Sequence, residues 1–169
     1  MSDPASTGTG APATASVGAQ VRRADPDDVP AIAAAVGALL RELGSTPPPA
    51  PAIEDVAREL IADRGVAALL VAEAEGAIVG VLGASLQTAM HVPGRYALIQ
   101  DLWVHPSWRS RAIGAALIDR LCELAREQRL ARIEVGLPRE SFAAIRATEA
   151  FYLGNGFQPL GERMRRVLG

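Results

Sequence analysis

Arg109, Ser110 and Arg111 stand immediately ahead of an apolar stretch with helical spacing that begins near Ile113. This placement runs against simple electrostatics, because the first turn of a helix already carries roughly half a positive charge. An anion lying between the arginines and the helix would resolve the conflict. Backbone N–H groups of a first turn have no internal acceptors. A phosphate can take their hydrogen bonds and also gain from the helix dipole. Ala112, Gly114, Ala115 and Ala116 are small enough to let a ligand approach the backbone closely. The two arginines add charge suited to a pyrophosphate. A solvated loop with surface arginines would have the same sequence, so both readings stay open on spacing alone.

Few other residues are arranged for chemistry. Asp101 falls inside the hydrophobic run YALIQDLWV, where a charge is costly unless paired or used. An aspartate held by backbone N–H groups at a sheet bulge would read the same way. His91 and His105 are isolated from any cysteine or carboxylate at ligand spacing, so no metal site is expected. The single cysteine, Cys122, falls at an apolar helical position and reads as a small core residue. It cannot form an internal disulfide, which fits a reducing compartment and a cytoplasmic location.

The elements that must position these residues follow from composition and pattern. A chain of 169 residues, 49% of them hydrophobic, suits one domain with a sizeable core. The net charge of −2 argues against nucleic-acid binding, which needs a basic face. The terminal RMRRVL is too small a cluster to provide one. No apolar run is long enough to span a bilayer, and the N-terminus lacks the pattern of a signal peptide. Residues 1–18 read as a disordered tail and 19–169 as the domain.

Within the domain, VRRA is a short strand. DPDDVPAIAAAVGALLREL is a helix capped by Asp25 or Asp27, and IEDVARELIAD is a second helix after a proline-rich loop. Apolar runs at 67–72 and 77–86 flank Glu75-Gly76 and predict a hairpin. A loop with Pro93 and Gly94 leads to the strand YALIQDLWV, then a helix over about 113–128. The strand ARIEVGL, the helix SFAAIRATEAFYLGNG and a strand pair in FQPLGERMRRVL complete the chain. This order is mixed α/β (α+β), antiparallel in its first half with crossovers in its second.

At this point the chain resembles the GNAT superfamily of acyl-CoA-dependent N-acetyltransferases. Its signature, V-x-P-x-x-R-x-x-G-x-G/A between a strand and a helix, is met by Val104, Pro106, Arg109 and Gly114. Ala112 stands in place of the first glycine. Alanine suits that position if it is helical and is strained there if the backbone needs positive φ. A second block, F/L-Y-x-x-x-G-F, is met by Phe151, Tyr152, Gly156 and Phe157. Ile145 replaces an asparagine often found seven residues before the tyrosine.

The resemblance implies a central mixed, mostly antiparallel sheet splayed between its fourth and fifth strands, with helices on both faces. It implies acetyl-CoA as co-substrate. Backbone groups of Leu102, Trp103 and Val104 would pair with the pantetheine arm. Amides of Arg109, Ser110, Arg111, Ala112, Ile113, Gly114 and Ala115 would hold the pyrophosphate. A primary amine, on a small molecule or a peptide, would attack the thioester directly. Tyr152 would protonate the leaving thiolate, a role favoured over that of an aromatic merely packed at a helix end. The base is expected to be Asp101, with Glu134 and Glu149 as alternatives. Trp103 reads as core, and Trp108 either covers the adenine or shields the loop. Arg139 and Glu140 either read a charged substrate or cap the next helix, with Glu140 expected in the cap alongside Ser141. The segments GSTPPPAPA and QTAMHVPGRY would line the acceptor side, and a homodimer is an open option. A non-catalytic acyl-CoA-binding module is the rival reading, since Ala112 and Ile145 both depart from the pattern.

Overall fold

A computed structural model describes residues 18–161. The first strand, β1, spans Gln20–Arg23. A short 3-10 turn at Pro26–Asp28 follows, closed by a reciprocal capping box. The Asp25 carboxylate accepts the Asp27 N–H, and the Asp28 carboxylate accepts the Asp25 N–H. Helix α1, Val29–Glu42, continues from this turn. Helix α2 covers Ala50–Ala62. It starts three residues before the expected Ile53, because proline is tolerated in a first turn, where its missing N–H has no acceptor to lose.

Strands β2, Ala67–Ala74, and β3, Ala77–Ala89, form the expected hairpin. Its two-residue turn takes positive φ at both Glu75 and Gly76, the geometry that matches strand twist. Strand β4 runs over Val92–Val104. The expected loop at Pro93 and Gly94 is therefore part of a strand. A register slip after Thr88 absorbs these residues, with Gly94 at φ +102°. Helix α3 spans Ile113–Glu127, β5 only Ile133–Val135, and α4 Ile145–Gly154. Helix α4 begins after Ala144 with no side-chain cap, so Glu140 and Ser141 do not cap it. No strand is present at 157–161, and the rest of the expected terminal strand pair lies outside the described residues. So does the expected tail, apart from Gly18.

The sheet order is β1-β2-β3-β4-β5, antiparallel except for the parallel pair β4/β5. Helices cover both faces. Leu69, Val71 and Val81 meet α1 and α2 through Val29, Ile32, Ala35 and Ala57. Leu70, Leu82, Ala84 and Ile99 meet α3 and α4 through Leu117, Ile118, Leu121 and Tyr152. Gly80 allows α3 to come close: a Cβ there would lie 3.0 Å from Ile113 and 3.1 Å from Leu117. Arg22 ties β1 to the start of α1 and to β2, reaching Asp28 at 2.6 Å and Glu73 at 2.9 Å.

Two features of β4 matter for the site. Its register with β3 slips between the pairs Ala84–Ile99 and Gly83–Asp101, leaving Gln100 as an extra residue. Its pairing with β5 covers Ala97 to Ile99 and stops there. A bulge bends the strand that carries it. From Gln100 to Val104, β4 has no partner on the β5 side among the described residues, and the sheet splays at the parallel pair.

Candidate active site

The loop after β4 is built by a 3-10 turn at Pro106–Trp108. His105 caps it, its Nδ1 accepting the Ser107 N–H at 3.3 Å, and its ring meets Trp103 edge-on. The Arg109 amide donates to the Pro106 carbonyl. Beyond it, the backbone N–H groups of Ser110, Arg111, Ala112, Ile113, Gly114 and Ala115 have no acceptor among the described residues. The next amide, Ala116, donates to Ala112 within the helix. Six successive donors therefore remain open at the positive end of α3, and no acidic side chain caps them.

The conformation of this run answers the question about Ala112. It is left-handed, at φ +59° and ψ 12°, and so is Ser110 at φ +61°. Alternation of left-handed and ordinary backbone turns consecutive N–H groups toward one concavity, which suits an anion. Alanine is strained there, whereas glycine would not be.

The arginines are placed differently from each other. Arg109 turns away from the open amides. Its Nε donates to the Val104 carbonyl at 3.0 Å, and Nη2 reaches both Glu42 carboxylate oxygens at 2.8 and 2.7 Å. The Trp103 indole N–H also donates to Glu42, at 3.2 Å. Arg111 lies over the Trp108 ring at 4.7 Å and is exposed. Sequence reading missed Glu42. The signal was available: an acid at the C-terminal end of a helix opposes the dipole unless a cation meets it.

Gly114 serves packing as well as access. A Cβ there would lie 3.0 Å from Phe151 Cζ, so the glycine lets α4 close onto α3. Phe151 in turn meets Tyr152 edge-on, and Phe157 packs on the other side of that ring. Tyr152 is buried, and its phenol is pushed up to about 12 by desolvation. Its hydroxyl makes no hydrogen bond to the described residues and retains contact with solvent.

Asp101 sits just past the extra residue Gln100 and lies over Gly83, on the α1/α2 face of the sheet. The expected bulge is present, but Asp101 accepts no hydrogen bond from the described residues, and burial pushes its carboxyl above the usual range. Glu134 is buried beside Arg132, at 2.6 Å, and Arg132 in turn lies over Tyr96. Glu149 is exposed on α4. Of the three carboxylates considered for the base, Asp101 has the desolvated, unpaired setting. Asp101 and Tyr152 lie on opposite faces of the sheet, and the splay between β4 and β5 separates them. Ile145 opens α4 and its N–H donates to the Phe142 carbonyl. Cys122 packs against the α3/α4 core, as expected. Among the described residues no group of histidines, cysteines and carboxylates could hold a metal ion, and no helix is long and apolar enough to cross a membrane.

Comparison with known proteins agrees with this geometry. A family model described as acetyltransferase (GNAT) family matches residues 37–154. No curated relative matches the chain. A possible acetyltransferase from Clostridium difficile 630 superposes with a TM-score of 0.76 at 15% identity, over 90% of this chain and 98% of that one. A Trypanosoma brucei acetyltransferase gives 0.67 at 24% identity, over 89% and 99%. A predicted acetyltransferase with acetyl-CoA from Clostridium acetobutylicum gives 0.71 at 19% identity, over 88% and 96%.

Proposed function

Because the chain belongs to the acetyltransferase (GNAT) family, we propose that it transfers an acetyl group from acetyl-CoA to a primary amine by direct attack in a ternary complex. The observation that carries this reading is the run of six open amides from Ser110 to Ala115 at the start of α3. Those donors hold the pyrophosphate of acetyl-CoA, with Arg111 beside them. The backbone of Leu102, Trp103 and Val104 borders the open edge of β4 and pairs with the pantetheine arm. A similar fold in the Clostridium acetobutylicum structure is described with acetyl-CoA, which supports the choice of co-substrate.

The chemistry then divides between the two faces. An alkylammonium, with a pKa near ~10, must lose a proton before it can attack. Asp101, unpaired and raised by burial, takes that proton, directly or through water. The nitrogen adds to the thioester carbonyl, the C–S bond breaks, the thiolate receives the Tyr152 proton, and the second proton of the acylated nitrogen returns to the phenolate through water. The apolar surroundings keep the phenol protonated across the working range.

Calorimetric titration with acetyl-CoA, beside a pantetheine thioester lacking the pyrophosphate, tests the reading. Saturable binding that needs the pyrophosphate, followed by thiol release with members of an amine library, supports it. Absence of binding up to millimolar concentrations rejects it. Binding without turnover on any amine leaves an acyl-CoA-binding module.

A further inference from the structure

Glu42 and Arg109 each sit at an electrostatically unfavourable place in the fold. Glu42 is the last residue of α1, at the negative end of its dipole, and Arg109 precedes the positive end of α3. They meet across 67 residues of sequence, and each answers the other's charge. Both side chains remain partly exposed, at 36% for Glu42 and 47% for Arg109, so the pair contributes little to overall stability. Its effect is geometric. Arg109 bridges the last carbonyl of β4, at Val104, and the last side chain of α1, at Glu42. Between β4 and α3, the loop must hold Ser110 and Ala112 in left-handed conformations that persist only where the surroundings over-determine them.

From this geometry we propose that Glu42 is a positioning residue for the acetyl-CoA loop. It holds Arg109 as a clamp on residues 105–112 and does not leave that guanidinium to contact the pyrophosphate. The same carboxylate accepts the Trp103 indole N–H, so one group registers α1 and β4 with the loop. This inference rests on the proposed function only in naming the ligand that the loop holds.

The substitution Glu42→Gln keeps an oxygen for Trp103 and removes the charge that holds Arg109. Acetyl-CoA affinity, measured by calorimetry, should weaken about three- to five-fold. Arg109→Gln should weaken it as well, and the double variant should be no weaker than Arg109→Gln alone. If Arg109 instead served the pyrophosphate and Glu42 competed for it, Glu42→Gln would bind acetyl-CoA more tightly. Unchanged or tighter binding overturns the proposal. A second readout needs no ligand. Hydrogen exchange at the Trp108 and Arg109 amides, which bond to His105 and Pro106, should quicken in Glu42→Gln of the free protein, while amides in the middle of α3 keep their rates. Unchanged exchange at both also overturns the clamp. If the wild-type protein fails to bind acetyl-CoA, the proposed function falls, and the exchange rates alone judge the clamp.

Discussion

Tyr152 lies between Phe151 and Phe157 in a setting that makes a phenolate costly. A phenol at about 12 does not ionise over the working range, so it would enter the proposed transfer still carrying its proton. Tyr152→Phe should therefore lower turnover by about ten-fold or more with little change in acetyl-CoA affinity, read by steady-state kinetics and calorimetry together. Asp101, as the proposed base, has the opposite task. Burial raises its pKa, so its effect on stability favours folding at low pH and is lost as pH rises through the raised value. Asp101→Asn should raise the melting temperature at neutral pH and abolish the acid limb of the kcat/KM profile, a limb displaced above the ordinary carboxylate range. A variant that keeps the wild-type profile would move the base elsewhere. The candidate residues themselves were legible in the sequence, because an aspartate in a hydrophobic strand and a tyrosine before G-F are conspicuous. The setting of Ala112 was not. Its left-handed backbone comes from the loop as a whole, and alanine gives no local sign of it.

At the scale of elements, α3 starts from a strained residue. Ala112→Gly removes the contact between Cβ and the carbonyl that disfavours left-handed backbone, and should stabilise the fold by about 1 kcal/mol in urea unfolding. The loop ahead of α3 keeps its shape in that variant, so acetyl-CoA affinity, on the proposed function, should hold or improve. Gly114→Ala acts between elements. Its Cβ would press on Phe151 at 3.0 and 3.2 Å, and the cost should be about 1–3 kcal/mol, with turnover falling as Tyr152 shifts with its neighbour. Element identity was largely readable where pattern and turn chemistry agree, as in the Glu75-Gly76 hairpin and the apolar stripe of α3. Boundaries failed where punctuating residues were absorbed. Proline opened α2, Pro93 and Gly94 were taken into β4, and α4 began four residues after Ser141.

For the molecule as a whole, the Arg22 cluster joins β1, the turn before α1, and β2. The Asp28 carboxyl is held below its usual range by its hydrogen bonds from Arg22. Its stabilising effect is present above about pH 4, where the unfolded carboxyl is ionised, and is lost as pH falls through the lower folded value. Asp28→Asn should cost about 1–3 kcal/mol at neutral pH, and denaturant curves of variant and wild type should converge in acid. Mixed α/β topology followed from the order of elements. The separation of Asp101 and Tyr152 onto opposite faces did not, because it depends on the parity of β4, which one residue changes.

That residue, Gln100, gives the chain an unusual tolerance profile. Ile99 and Leu102 both face the α3/α4 core, with two residues between them where strict alternation allows one. An in-frame loss of the Gln100 codon would leave every other β4 side chain on its present face and straighten the strand toward β5. The core would survive a deletion that most strands could not bear, and the opening between the strands would close. The bend at Gln100 is thus separable from the fold, one extra residue set apart from the earlier slip at Pro93 and Gly94.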